Sequence, residues 1–134
     1  MTHTYFAYGS NLDEARMCAR CPSARPLGVG VLEGYVLGFA GFSRGWGGGV
    51  ATVTPDATSS VPGLLWTLDA ADLERLDVFE GHPTAYRRQR LWVVAQGGAP
   101  VHAEVYVKEG QTPSRPAPSY VDVLTRAYIT LGFD

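Results

Sequence analysis

The alternation of apolar and polar residues predicts a chain built mainly of β-strands. Short apolar runs, several of them alternating, lie between clusters of Gly, Pro, Asn and Asp, and this pattern is typical of strands bounded by turns. In one run, Val101–Val107, valine and alanine alternate with polar residues, which predicts a single buried face. The predicted strands are Thr4–Tyr8, Gly28–Leu32, Tyr35–Ala40, Val50–Thr54, Leu64–Leu68, Tyr86–Val94 and Val101–Val107.

Three further stretches are predicted to be helices, and the second and third have the apolar spacing of amphipathic helices. Each follows a residue suited to a helix start and stops at Pro or Gly, which is the usual punctuation of helices. The predicted starts are Ser10 or Asn11, Asp69, and Pro118 or Ser119, and the predicted ends are Pro22, Gly81 and Gly132. The predicted core-facing residues are Leu73, Leu76 and Phe79 or Glu80 in the second helix, and Val121, Leu124, Tyr128 and Leu131 in the third.

The segments between these elements are predicted to be irregular. Gly41–Gly49 is dominated by glycine, Pro55–Ser60 has turn-forming residues, and Lys108–Pro118 is rich in proline and polar residues. Strands outnumber helices and follow one another along the chain, which predicts an α+β fold with a mainly antiparallel sheet and helices packed on it. We expect a single domain over residues 1–134, and whether its sheet closes into a barrel stays open at this point.

Charge and composition exclude several classes of function. The net charge is −2 and the pI is near 5.9, so there is no basic excess to attract nucleic acid or an anionic membrane. Arg87, Arg88 and Arg90 are close together in sequence, and we interpret them as solvated strand residues. The chain has no apolar run of about 18 residues and no secretory signal at its start, so we expect a cytoplasmic location.

Cysteine and histidine do not suggest a metal or redox site. Cys18 and Cys21 have the spacing of half a zinc site, but there is no second pair, so they are interpreted as ordinary thiols. The three histidines, His3, His82 and His102, form no metal-binding pattern, and only His82 is near a candidate site residue in sequence.

The turn at Tyr8-Gly9-Ser10-Asn11 is a candidate anion-binding site. Gly tolerates a positive φ, and Ser and Asn accept tight turns, so several backbone N–H groups can point toward one place. A helix that begins there adds partial positive charge, which suits a carboxylate or a phosphate. The alternative is a plain strand-to-helix connection, since short motifs alone are weak indicators.

Two stretches of the sequence resemble the gamma-glutamylcyclotransferase family. Tyr5–Leu12 reads Tyr-Phe-Ala-Tyr-Gly-Ser-Asn-Leu, and Leu76–Gly81 reads Leu-Asp-Val-Phe-Glu-Gly, with Tyr86-Arg87-Arg88 after it. Gly48–Val53 and Val61–Trp66 match the family as well, so the resemblance covers most of the chain. It implies a small barrel with flanking helices, a γ-glutamyl small molecule as substrate, and no metal or cofactor. We expect a monomer or a homodimer.

The resemblance also assigns roles to residues. It implies that Glu80 is the general acid/base, that the backbone of Tyr8, Gly9, Ser10 and Asn11 binds the glutamyl carboxylate, and that Tyr86 and Tyr120 bind substrate. The position of Glu80 at a helix end, with Val78 and Phe79 beside it, favours a raised pKa. Packing is the alternative role for Tyr120.

The products that the resemblance implies are 5-oxoproline and a free amine or amino acid. The sequence ends two residues after Gly132, whereas longer family members continue, and the γ-glutamyl substrate stays open. The alternatives to a cyclotransferase are a carboxylate-binding or regulatory domain on the same fold, and a hydrolase that releases glutamate.

Overall fold

The computed structural model describes residues 2–133, which form five strands and four helical segments around one core. The strands are β1 (Thr2–Ala7), β2 (Arg25–Ser43), β3 (Gly48–Asp69), β4 (Arg87–Ala95) and β5 (Pro100–Val107). The helical segments are a 3-10 helix at Ser10–Leu12, α1 (Glu14–Arg20), α2 (Ala70–Glu80) and α3 (Pro118–Leu131). Among residues 2–133, no helix is long and apolar enough to cross a membrane.

The five strands close into a barrel in the order β1-β3-β2-β4-β5. Every neighbouring pair is antiparallel except β1 and β5, which are parallel and pair at Tyr5 and Glu104. The predicted α+β class with a mainly antiparallel sheet is therefore confirmed, and the sheet is closed. Closure removes the two exposed sheet edges and encloses the core, where Phe6 and Trp66 have no exposed surface.

The strands are longer and fewer than predicted. The two runs Gly28–Leu32 and Tyr35–Ala40 belong to the single strand β2, and Pro55–Ser60 lies within β3. Glu33 pairs with Ser60 and Tyr35 with Pro55, so residues 56–59 face Gly34 alone across an irregularity in the ladder. The turn-forming residues therefore mark a bulge inside a strand. Likewise, only residues 44–47 of the predicted irregular segment Gly41–Gly49 lie outside the strands.

Helix α2 follows its sequence signals closely. The Asp69 side chain caps it by accepting a hydrogen bond from the Asp72 backbone N–H at 2.8 Å. Gly81 ends it with a φ of 68°, in the left-handed region that favours glycine. Helix α1 differs, because Asp13 occupies its N-cap position in place of Ser10 or Asn11.

The buried faces of β5 and α3 also differ from the prediction. Residues 103–107 of β5 are all buried, because the outward-facing side chains are covered as well as those that face the core. In α3, Leu124 is buried and Tyr128 and Leu131 pack against the core, as predicted. Val121 is instead 39% exposed, and the buried face also includes Tyr120 and Ala127, so Tyr120 turns inward.

A chain of ion pairs joins the end of α2 to the barrel. Arg88 contacts Asp77 at 3.0 Å and Glu104 at 2.9 Å, and Arg90 contacts Glu104 at 3.0 Å. Asp77 also accepts a hydrogen bond from the Tyr106 hydroxyl at 2.7 Å. The interpretation of Arg88 as a solvated residue was therefore wrong, since its guanidinium bridges two carboxylates that strand pairing brings together.

Candidate active site

A cavity of about 340 Å³ brings together all the residues predicted for the site. This volume lies in the range of roughly 300–1,000 Å³ that is usual for small-molecule sites. The lining residues run from Tyr5 to Tyr120 and come from every helix and strand except β4. The predicted residues among them are Tyr8, Gly9, Ser10, Asn11, Glu80, Tyr86 and Tyr120.

Glycine occupies position 9, in the turn after β1, for a different reason from the one predicted. Gly9 has φ −113° and ψ −138°, so no positive φ requires glycine there. A Cβ atom on Gly9 would instead lie 3.0 Å from the Tyr120 hydroxyl oxygen and 3.4 Å from the Ala51 Cβ. Glycine suits this position because a larger residue would require the Tyr120 hydroxyl to move by a few tenths of an ångström.

The same turn presents backbone donors. The first hydrogen bond of the 3-10 helix runs from the Leu12 N–H to the Gly9 carbonyl at 3.0 Å. The N–H groups of Gly9, Ser10 and Asn11 precede this bond and have no acceptor inside the helix. The Ser10 N–H faces the Tyr120 hydroxyl oxygen, and the macrodipole expected from α1 is absent at this point, because α1 starts only at Glu14.

The Asn11 side chain connects this turn to Glu80. Asn11 is 3% exposed, and its Nδ2 donates to the Tyr5 hydroxyl at 3.0 Å and to Glu80 Oε1 at 3.3 Å. Its Oδ1 is buried with no hydrogen-bond partner among the described residues. The Asn11 amide therefore points its NH2 group at the Glu80 carboxylate, while its oxygen can accept a hydrogen bond from a ligand.

Glu80 is the only carboxylate among the residues that line the cavity. Burial raises the pKa of its carboxyl group above the ordinary value, while the positive charges of Arg20, Arg16 and Lys108 act in the opposite direction. The expected apolar neighbours contribute little to this burial, because Val78 is 81% exposed and Phe79 is 52% exposed. Glu80 itself faces the cavity, where the Asn11 side chain contacts it.

Two tyrosine hydroxyls meet at the backbone of Ala51. Tyr86 donates its hydroxyl proton to the Ala51 carbonyl, whereas the Tyr120 oxygen accepts a hydrogen bond from the Ala51 N–H at 3.0 Å. Tyr8 donates to the Tyr106 carbonyl at 2.5 Å. The proton of Tyr120 is therefore not used by Ala51, so this hydroxyl can donate to a ligand in the cavity.

Three cations also line the cavity, and each lies against an aromatic ring. The Arg16 guanidinium is 5.0 Å from the centre of the Trp46 ring, and the Arg20 guanidinium is 4.6 Å from that of Phe79. The Lys108 Nζ is 4.5 Å from the centre of the Tyr86 ring and donates to the Ala85 carbonyl at 3.0 Å. Such cation–π contacts hold the charged groups in place at the wall.

The histidine and the cysteines considered from the sequence lie outside the cavity. His82 does not line it, and its Nδ1 accepts a hydrogen bond from the Arg88 N–H at 3.0 Å. Cys18 is exposed and Cys21 is buried, and both are free thiols. Among residues 2–133, no group of three or more His, Cys, Asp or Glu side chains is placed to hold a metal ion.

Sequence reasoning missed a large part of the wall. The missed residues include Tyr5, Arg16, Arg20, Trp46, Ala51, Tyr106 and Lys108. Arg16 and Arg20 carried a recognisable signal, because their spacing of four places them on one face of α1, shortly after the turn at Gly9–Asn11. The remaining residues come from β1, β3, β5 and the adjoining loops, and the fold of the barrel brings them together.

Comparison with known proteins agrees with this architecture. The sequence model of a family described as "Gamma-glutamyl cyclotransferase, AIG2-like" matches residues 5–122. The chain belongs to this family. It is 31% identical over 128 residues to Gamma-glutamylcyclotransferase of Mus musculus, covering 92% of this chain and 68% of that protein. It is 32% identical over 126 residues to the Homo sapiens protein of the same name, covering 90% and 66%.

The fold of this gamma-glutamyl cyclotransferase family member also matches a solved structure. A protein named "Gamma-glutamyl cyclotransferase" superposes with a TM-score of 0.94 at 28% identity, covering 98% of this chain and 81% of that one. The chain spans about two thirds of the length of the curated mouse and human relatives.

Proposed function

We propose that the protein is a gamma-glutamylcyclotransferase that releases 5-oxoproline and a free amine or amino acid from a γ-glutamyl compound. The observation that supports this most is the closeness of Glu80 to the turn at Gly9–Asn11, with Asn11 Nδ2 only 3.3 Å from Glu80 Oε1. An α-amino acid carries its ammonium next to its carboxylate. If the turn binds the carboxylate, the ammonium lies within reach of Glu80.

Glu80 then serves as both base and acid. It accepts a proton from the α-ammonium, and the freed nitrogen attacks the γ-carbonyl carbon to close a five-membered ring. When the carbonyl re-forms, the bond to the leaving nitrogen breaks and the protonated Glu80 delivers a proton to that nitrogen. Glu80 thus relays one proton; the ring nitrogen loses its second proton to solvent and the released amine takes one up from solvent, so the protons balance and no water is consumed.

The raised pKa of Glu80 suits this exchange. An α-ammonium has a pKa near 7.8 and an ordinary glutamate near 4.3, so proton transfer between them costs ~4.8 kcal/mol. Each unit by which burial raises the pKa of Glu80 lowers that cost by about 1.4 kcal/mol. The reacting nitrogen and carbon belong to one molecule, so holding the folded-back conformer also reduces the entropic barrier.

The first test is the variant Glu80→Gln, with Glu74→Gln as a matched control on an exposed position of the same helix. 5-Oxoproline is measured from a panel of γ-glutamyl compounds. We expect Glu80→Gln to lose about 100-fold or more of kcat/KM, because general acid/base catalysis contributes ~10²–10⁴. Glu74→Gln is expected to keep full activity.

Stability measurements separate this loss from misfolding. Glu80 has no ion-pair partner within the described residues, so a neutral isostere leaves no cation unpaired. Because burial raises the pKa of Glu80, its ionised form destabilises the fold at neutral pH, and this penalty vanishes below the ordinary pKa of a glutamate. At pH 7, Glu80→Gln is expected to have a higher free energy of unfolding than the wild type.

Other outcomes identify the alternatives. Glutamate as the product in place of 5-oxoproline would indicate a hydrolase. A wild-type protein that binds γ-glutamyl compounds without turnover, with affinity unchanged in Glu80→Gln, would indicate a binding or regulatory domain.

A further inference from the structure

The positive charges of the cavity exceed what a γ-glutamyl group alone requires. Arg16, Arg20 and Lys108 line the cavity with a single carboxylate, Glu80. The ion pairs within residues 2–133 are made by Arg75, Arg88 and Arg90, so the three cavity cations form none. Three positive charges and one negative charge leave the empty cavity with a formal charge of +2.

The aromatic contacts of these cations do not satisfy their hydrogen-bond donors. A ring face attracts a cation but offers no lone pair to N–H groups that point elsewhere. Arg16 Nε is buried and has no hydrogen-bond partner in the described residues. A buried charged donor without an acceptor is costly, which indicates that an acceptor on the ligand completes it.

The γ-glutamyl group cannot balance this charge. It carries one ammonium, which Glu80 binds, and one carboxylate, which the backbone N–H groups of the turn bind. The group therefore adds no net charge to the cavity. Any remaining negative charge has to come from the leaving amine. An amine without a carboxylate adds none, a simple amino acid adds one, and a dicarboxylic amino acid adds two, which equals the excess of +2.

The geometry places this charge on the leaving-group side. Glu80 protonates the leaving nitrogen, so the substituents of that nitrogen lie close to Glu80. Arg20 is stacked on Phe79, which precedes Glu80 in α2, and Lys108 is stacked on Tyr86 and bonded to Ala85. Both positive charges act on Glu80, so we assign them to the side of the cavity where Glu80 meets the leaving amine.

We propose that this cyclotransferase prefers γ-glutamyl compounds whose leaving group is an acidic amino acid, with Arg20 and Lys108 as its specificity-determining residues. The inference rests on the proposed function. It assigns the otherwise unpaired cations to the two carboxylates of the leaving amino acid.

A matched series of four substrates tests it on the unmodified protein: γ-glutamyl-aspartate, γ-glutamyl-asparagine, γ-glutamyl-alanine and γ-glutamyl-ethylamine. Asparagine differs from aspartate by charge at nearly constant shape, and ethylamine is alanine without its carboxylate. We expect kcat/KM to fall by about tenfold, equivalent to ~1.4 kcal/mol, from aspartate to asparagine. We expect a fall of the same size from alanine to ethylamine, and a weakening of both differences in high salt.

Variants of the two cations test whether they cause the preference for aspartate. Arg20→Gln and Lys108→Gln are expected to reduce the aspartate-to-asparagine ratio toward one, whereas Arg87→Gln, on an exposed strand position outside the cavity, is expected to keep it. Release of 5-oxoproline with asparagine equal to or better than aspartate would overturn this inference and leave the proposed function standing. Failure to release 5-oxoproline from any of the four compounds would overturn both.

Discussion

The hydroxyl of Tyr120 provides a sharp test of whether this residue binds substrate or only packs. Tyr120 is 3% exposed, and its ring packs edge-on against Trp46 and Phe39, with ring centres 5.0 Å and 6.2 Å away. Tyr120→Phe retains these contacts and removes one oxygen atom. The variant thus separates the hydroxyl from the ring.

Removing that oxygen atom causes the loss of two hydrogen bonds. The Ala51 N–H loses its acceptor at 3.0 Å, and an orphaned buried donor costs ~1–3 kcal/mol of unfolding free energy. The substrate loses the donor that Tyr120 can supply. For an ordinary neutral hydrogen bond this costs ~0.5–1.5 kcal/mol, or roughly a 2- to 12-fold fall in kcat/KM. If the bond strengthens as charge develops on the γ-carbonyl oxygen, the loss reaches ~10²–10³ and falls on kcat.

Steady-state kinetics and denaturant unfolding measure both losses, with Tyr128→Phe as the control. Tyr128 is on the same helix, packs edge-on against Phe133 and does not line the cavity. Burial raises the pKa of Tyr120 to about 12, so its proton is present throughout the assay range and the effect of Tyr120→Phe should not depend on pH below 10. A variant that is destabilised but keeps wild-type kcat and KM would refute substrate binding and leave packing as the role of Tyr120.

Three further perturbations have defined outcomes. Gly9→Val is expected to raise KM, because its Cβ enters the 3.0 Å gap to the neighbouring hydroxyl; unchanged affinity would place carboxylate binding elsewhere. Arg20→Gln removes the strongest charge that lowers the pKa of Glu80, so the acidic limb of the kcat/KM profile should move to higher pH, and a limb that stays in place would contradict Glu80 as the base. Burial acts to raise the pKa of Asp72, but hydrogen bonds from Ser23 and Arg75 outweigh it and hold that pKa below 3.8. The stabilisation is therefore complete well above pH 3.8 and is lost as the pH falls through the folded-state pKa. Asp72→Asn should lower stability at pH 7 with a smaller deficit in acid, as measured by unfolding across pH.

The parts of the fold that depend on local chemistry were predictable from the sequence. Asp69 and Gly81 bound α2 because capping and a left-handed terminal residue are local requirements, so Glu80 was correctly placed at a helix end. The bulge opposite Gly34 was not predictable, because residues 56–59 have the composition of a turn and only pairing with β2 keeps them in a strand.

The candidate site divides in the same way. Motifs located Glu80 and the turn after β1. Ala51 lies in the matching segment Gly48–Val53, but nothing local marks it as a wall residue, and Lys108 reaches the cavity because it directly follows β5 in the barrel. The reason for glycine at position 9 was also non-local, since it depends on a tyrosine hydroxyl from α3, more than 100 residues later.

The distribution of the cavity wall along nearly the whole chain, from Tyr5 to Tyr120, has a consequence for the lifetime of the protein. No fragment contains the wall, so a ligand binds only the completely folded chain and shifts the global folding equilibrium. A ligand at 100 times its Kd adds ~2.7 kcal/mol to the unfolding free energy. Substrate supply would then regulate abundance as well as flux, because a chain without ligand exposes itself to proteolysis more often than an occupied one.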